Sequence, residues 1–144
     1  MTNPTTENDV TVRPATRDDL PVLSQLITEF VKANRLLPRT QNELDDLIPT
    51  GFVACLGDQL VGFAALEIYS PKLAEVRSLA VVPEMQGNGL GKRLVLQCVE
   101  LAQSRNVLEV MAITSAEEFF QSCGFDFTLP GEKKALFVRT REDA

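Results

Sequence analysis

The stretch VVPEMQGNGLGKRL, from Val81 to Leu94, places Gly87, Gly89 and Gly91 at every second position of a run that otherwise looks ready to become a helix. Glycine in a helix interior costs about 1 kcal/mol relative to alanine, so three in five residues signal a need for bare backbone. Upstream, LAEVRSLAVV reads as a strand with Ala74, Val76, Ser78 and Ala80 on one face and Glu75, Arg77, Leu79 and Val81 on the other. Pro83 marks its end. Downstream, Leu90, Leu94, Cys98 and Leu101 form a helical stripe, widened by Val95, Val99 and Ala102. A glycine turn between a strand and a helix suits an anion: amides converge, the helix dipole adds partial positive charge, and missing side chains admit a pyrophosphate.

The register separates three kinds of phosphate loop. A Walker-type loop needs Gly, four residues, then Gly-Lys and Ser or Thr; Gly91 and Lys92 fit, but Gln86 and Arg93 occupy the other two positions. A dinucleotide fingerprint begun at Gly87 or Gly89 needs a third glycine where Lys92 or Leu94 stands. The spacing that remains is Gln86, two residues, Gly89, one residue, Gly91, with Lys92 and Arg93 adding local charge.

Working outward, VTVRPA reads as a strand, and Leu20, Leu23, Ile27, Phe30 and Val31 recur at helical spacing, predicting a helix from near Asp18 that fades before Pro38. Thr40 with Glu43 three residues on marks the capping box of a short second helix that stops near Pro49. Phe52–Leu56 and Leu60–Ile68 read as a hairpin. VLEVMAI reads as a strand, SAEEFFQSCGF as a short helix closed by Gly124, and ALFVRT as a last strand. The expectation is one domain over residues 10–144 behind a disordered tail of residues 1–9.

Composition narrows the chemistry. The 144 residues contain no histidine, which excludes nucleophiles that rely on an imidazole base and His-ligated metal sites. Proton transfer falls to carboxylates, hydroxyls, thiols, amines or water. A net charge of −6 argues against a nucleic-acid partner. Cys55, Cys98 and Cys123 are widely spaced among apolar neighbours and read as buried free thiols, with no metal expected. The polar, acidic start and the lack of an apolar run of about 20 residues lead to the expectation of a cytoplasmic protein away from membranes.

With the Gln86–Gly91 turn in this order of elements, the sequence resembles the GCN5-related N-acetyltransferase superfamily, whose Q/RxxGxG/A turn binds acetyl-CoA. The resemblance implies an α/β fold with a mixed, mostly antiparallel sheet of six to seven strands flanked by about four helices. It places acetyl-CoA on the backbone of Leu79, Ala80 and Val81, where the pantetheine arm pairs like an added strand, and on the turn residues Gln86, Gly87, Asn88, Gly89, Leu90, Gly91 and Lys92. More narrowly, LLPRT, LAEVRSLAV and ITSAEEFFQSCGF look like bacterial N-acetylglutamate synthases. That likeness assigns Arg39 to a substrate carboxylate, a role suited to the guanidinium fork. Arg77 and Ser78 join it as substrate-binding candidates. Glu75 falls at the position of a base acting through water on the acceptor amine, which must be neutral to attack a thioester. The competing reading of Glu75 is an ion pair with Arg77 at the sheet's end. Thr114 falls at the position of a hydroxyl that protonates the departing thiolate.

The segment LPGEKKALFVRT is shorter than in those synthases, with Lys133 and Lys134 as the available stand-ins for lost substrate contacts. The expected activity is direct transfer of acetyl from acetyl-CoA to a primary amine of a small acceptor, such as an amino acid like glutamate, without an acyl-enzyme. A reading from a different class is a non-catalytic acetyl-CoA sensor or partner-binding module. Edge strands in so small a domain make a homodimer a reasonable expectation.

Overall fold

The β2–β3 hairpin sets the frame of the molecule. Strand β2 (Gly51–Leu56) turns through Gly57 and Asp58 into β3 (Gln59–Ser70), with Leu56 opposite Gln59 and Gly57 at φ 60°. In this computed structural model, which describes residues 9–127, 131 and 135–141, β1 (Val10–Pro14) and β4 (Leu73–Val81) flank the hairpin, both antiparallel to their neighbours. Strand β5 (Glu109–Met111) runs parallel to β4, as the intervening crossover through helix α3 (Leu90–Ser104) requires. The order across the sheet is β1-β2-β3-β4-β5.

Helix α1 (Leu20–Lys32) and helix α2 (Gln41–Leu47) cover one face, burying Leu23, Ile27, Leu44 and Leu47 against Val53, Phe63 and Ala65. Helix α3 and the short α4 (Glu117–Ser122) cover the other, where Leu90, Leu94, Val95, Cys98 and Phe120 pack on Ala64, Leu66 and Val76. Side chains fix the helix starts locally. The Asp19 carboxylate accepts from Thr16 N–H at 2.8 Å and from the Arg13 guanidinium fork at 2.8 and 2.9 Å. The α2 capping box closes as its spacing predicts, Glu43 N–H donating to Thr40 Oγ1 and Thr40 N–H to Glu43 Oε1. None of the described helices is long and apolar enough to cross a membrane.

Three expectations need correction. First, the described residues form five strands, against the six or seven expected. VLEVMAI contributes only Glu109–Met111, and ALFVRT forms no strand: Leu136, Phe137 and Val138 are 91, 76 and 83% exposed. A strand exists only by pairing, and the chain carries these residues off the sheet. Second, α1 begins at Leu20, after a 3-10 turn over Arg17–Asp19. Third, the simple alternation of β4 fails at Ser78. Between the pairs Phe63–Ala80 and Ala65–Arg77, β3 advances two residues and β4 three, so β4 carries a bulge, with Ser78 at φ 57°. Ala74 and Val76 before it therefore share the α3 face with Leu79 and Val81 after it. Glu75 and Arg77 project with Ala80 to the α1/α2 face, through their pairs Glu67, Ala65 and Phe63. The tail expected over residues 1–9 lies outside the described residues except for Asp9, as do Lys133 and Lys134.

Candidate active site

Strands β4 and β5 pair only through Leu73, Ala74 and Glu75, and then separate. From Val76 to Val81 the edge of β4 toward β5 has no ladder partner, while its other edge stays bonded to β3. A cavity of about 480 Å³ lies beside this stretch, lined by Leu79, Val81, Gln86, Gly87, Gly89, Leu90, Gly91 and Lys92. Eight of the ten residues expected to bind the cosubstrate thus share one wall; the Ala80 side chain is buried opposite Phe63, and Asn88 is exposed on the turn outside the lining.

The turn has local causes. Gly87 and Gly89 adopt φ values of 84° and 81°, in the left-handed region that side chains rarely enter. Gln86 donates its side-chain amide to Val81 O at 2.8 Å, tying the loop back to the strand end. Gly91 lies against Phe119: a Cβ there would stand 3.3 Å from the ring. Gly89 caps α3 with no side-chain acceptor, so the first amides of the helix, which have no partner within it, remain available to a ligand. These features fit coenzyme A, whose pyrophosphate the helix start and Lys92 would hold and whose pantetheine amides the open edge of β4 would pair. The lining also includes Phe30, Arg35, Ala116 and Phe119, none of which sequence reasoning assigned to the site. Arg35 stacks its guanidinium 5.2 Å from the Phe30 ring centre, so the cavity holds two cations within an acidic protein.

On the α1/α2 face lies a polar cluster. Glu75, 6% exposed, stands opposite Glu67 in the register. Tyr69 donates its hydroxyl to Glu75 Oε1 at 2.6 Å and lies 3.2 Å from Glu67 Oε2. Arg77 Nη1 bridges both acids, 2.9 Å from Glu67 and 3.4 Å from Glu75, and donates to the Tyr69 oxygen at 3.1 Å. The ion pair expected between Glu75 and Arg77 is present, and Tyr69 links the same carboxylate to Glu67. Burial, reinforced by the bond to Glu75, pushes the Tyr69 hydroxyl up to about 12, so it stays a neutral donor at physiological pH. Glu67 and Tyr69 escape a sequence reading because their proximity to Glu75 depends on the β3–β4 register.

Arg39, on the loop before α2, donates Nε–H to Ser78 Oγ at 2.9 Å. Two substrate-binding candidates 39 residues apart thus meet at the β4 bulge, one residue from the cofactor wall at Leu79. Among the described residues no carboxylate lies within ion-pair distance of Arg39. Its side chain lines a second cavity, about 300 Å³, with Glu43, Asp46, Thr50, Glu67 and Arg105. Thr114 is placed differently, beyond β5. Its Oγ1 accepts from the amide of Ala116, a residue of the cofactor wall, so it stands one hydrogen bond away from that cavity.

The three cysteines are free and buried. Burial pushes the Cys98 thiol up to about 12 and raises Cys123 against the opposing effects of Ser122 and Lys92, which disfavours the thiolate a covalent relay needs. Among the described residues no group of three or more Cys, Asp or Glu is arranged to hold a metal ion.

A strand that parts from its neighbour, followed by a glycine turn and an uncapped helix, is the arrangement that the resemblance to N-acetyltransferases implies for acetyl-CoA. The chain belongs to the Acetyltransferase (GNAT) family, whose model matches residues 20–125. An uncharacterized N-acetyltransferase of Chlorobaculum tepidum is 32% identical over 117 residues, covering 81% of this chain and 76% of that protein. An amino-acid acetyltransferase of Mycobacterium tuberculosis is 31% identical over 117 residues, covering 79% of this chain and 67% of the relative. Among solved structures, Rv2747 of M. tuberculosis in complex with CoA and NLQ superposes with a TM-score of 0.76 at 28% identity, covering 90% of this chain and 76% of the other. N-acetylglutamate synthase of Neisseria gonorrhoeae, complexed with coenzyme A and N-acetyl-glutamate, gives a TM-score of 0.71 at 25% identity, covering 78% of this chain and 27% of that much longer one. The protein is thus an acetyl-CoA-dependent N-acetyltransferase.

Proposed function

We propose that the acceptor is a small amino acid, with glutamate the first to test, and that acetyl passes directly to its α-amine. The observation that carries this is Arg39: a guanidinium that lines the second cavity, is anchored at Nε by Ser78, the residue before Leu79 of the cosubstrate cavity, and has no carboxylate partner among the described residues. A carboxylate gripped by its terminal nitrogens would be held beside the strand that presents the thioester. The amino-acid acetyltransferase and N-acetylglutamate synthase named above support the same class of acceptor.

In this reading the chain's residues divide the work. Glu67, on the wall of the second cavity, attracts the incoming ammonium, and Glu75 receives its proton through the Tyr69 hydroxyl or a water, since Glu75 itself is buried. The unpaired amides of β4 after the bulge hold the pantetheine arm and stabilise the oxyanion that forms as the amine attacks the thioester carbon. The C–S bond then breaks, and the proton shed by the acetylated nitrogen passes to the sulfur through the Thr114 hydroxyl, whose oxygen is engaged by Ala116 N–H while its own hydrogen remains available.

The test is release of free thiol from acetyl-CoA with a panel of L-amino acids, their decarboxylated amines and polyamines. Turnover confined to carboxylate-bearing acceptors is expected. Preference for amines without a carboxylate would overturn the reading, and thermal stabilisation by acetyl-CoA with no turnover on any acceptor would favour a binding module.

A further inference from the structure

Helix α1 ends in a form set by the residues that follow it. Past the cap at Ala33, Asn34 takes the left-handed conformation at φ 57° and donates its amide to Val31 O at 3.0 Å, while Arg35 N–H reaches back to Phe30 O at 2.9 Å. These two reversed bonds are the Schellman ending, which brings the second residue past the cap against a side chain of the last turn. Here that contact is Arg35 on Phe30, with the guanidinium carbon 5.2 Å from the ring centre. Phe30 is buried, so the ring is a fixed platform. A guanidinium stacked by its face keeps its N–H edge for another partner.

Arg35 lines the cosubstrate cavity together with Gly87, Gly89 and Lys92. Arg13, Arg17 and Arg77 are each paired with a carboxylate, whereas among the described residues none lies within ion-pair distance of Arg35 or Lys92. In a chain with 20 acidic against 14 basic residues, two cations without acids share one cavity with a helix start whose first amides lack partners. The result is a local positive field in an acidic protein. Lys92 and the turn belong to the Gln86–Gly91 pattern, but Arg35 comes from another part of the chain and lies outside it. Coenzyme A carries its charge in phosphates, and the parallel N–H groups of a guanidinium match two phosphate oxygens.

We propose that Arg35 is a further acetyl-CoA-binding residue, gripping the pyrophosphate from the end of α1 while the Gln86–Lys92 turn holds it from the start of α3. The Schellman ending and the Phe30 ring position the guanidinium before the ligand arrives, so little side-chain freedom is lost on binding. The assignment rests on acetyl-CoA as cosubstrate and needs no particular acceptor.

Calorimetric titration of the full chain and of Arg35→Met with CoA and with 3′-dephospho-CoA tests it. Arg35 is exposed beyond the helix end, so the variant is expected to keep the parent's melting temperature. Its Kd should rise about tenfold or more for both ligands alike, and its affinity should depend less on salt than the parent's, because one charge pair is gone. Phenylglyoxal modification of Arg35 in the parent, located by mass spectrometry, adds a readout that survives a poorly folding variant: either ligand should slow it. An unchanged Kd overturns the proposal. A loss confined to CoA overturns it too, since Arg35 would then meet the 3′-phosphate, as does a loss with unaltered salt dependence, which would make the residue structural. Modification of Arg35 that neither ligand slows has the same consequence.

Discussion

Replacing Arg77 with methionine removes the group that allows two glutamates to face one another. Glu67 and Glu75 are opposite in the β3–β4 register, and both bond to the Tyr69 hydroxyl at 3.2 and 2.6 Å, so their oxygens lie within about 6 Å. At an effective dielectric constant near 20, two unit charges at that distance repel by about 3 kcal/mol. Glu67 is 37% exposed on its side chain, and solvent screening reduces this to roughly 1–2 kcal/mol. Loss of the Nη1 bonds to Glu67 and Tyr69 adds about 1 kcal/mol. Arg77→Met should therefore cost about 2–3 kcal/mol near neutral pH, a fall in Tm on the order of 8 °C for a domain of this size. Urea denaturation measures the deficit. Adding Glu67→Gln, which removes one of the two facing carboxylates, should recover roughly half of it. A deficit unrelieved by Glu67→Gln would refute the reasoning.

Three further outcomes follow from the same geometry. Gly87→Ala places a methyl group with no protein atom within 4 Å but at φ 84°, so stability should fall by only about 1–2 kcal/mol while the KM for acetyl-CoA rises about tenfold or more, because Gly87 lines the cavity; an unchanged KM would remove the turn from the binding site. The Arg13 fork holds the Asp19 carboxylate below the usual carboxylate range, so its stabilisation is complete above the unfolded value of about 3.9 and is lost as pH falls through the lower folded value. Asp19→Asn should cost about 1 kcal/mol at neutral pH and progressively less in acid, whereas a constant difference down to strong acid would contradict the assignment. Cys98→Ala and Cys123→Ser should leave kcat within about threefold when amine is saturating, and loss of all turnover in either would restore a covalent relay.

What the sequence disclosed tracks how local each feature is. The Gln86–Gly91 turn and the Thr40–Glu43 capping box each rest on residues within one turn of chain, and both form as their spacing implies. The bulge at Ser78 was hidden because both faces of β4 are largely buried, so apolar residues continue through it without a visible change of period, and a serine at φ 57° carries no glycine signal. That one extra residue puts Leu79 and Val81 on the face shared with Val76, and the splay of β4 from β5 that opens the cosubstrate cavity follows along the same stretch. Glu67, Tyr69, Arg35 and Phe30 join the two sites through strand register and helix packing, which no short pattern encodes. ALFVRT has the composition of a strand and no described partner within its chain, so its alternation was readable and its pairing was not.

The central claim is that Arg39, held by Ser78 at the bulge, grips the acceptor's carboxylate while the open edge of β4 presents the thioester. Steady-state kinetics of Arg39→Ala with the best amino acid from the panel and with its decarboxylated amine test this most directly. The account predicts that kcat/KM for the amino acid falls about a hundredfold or more, carried mainly by KM, while the amine is acetylated as slowly as by the parent and the KM for acetyl-CoA is unchanged. An equal loss on both acceptors, or no loss on the amino acid, would contradict it.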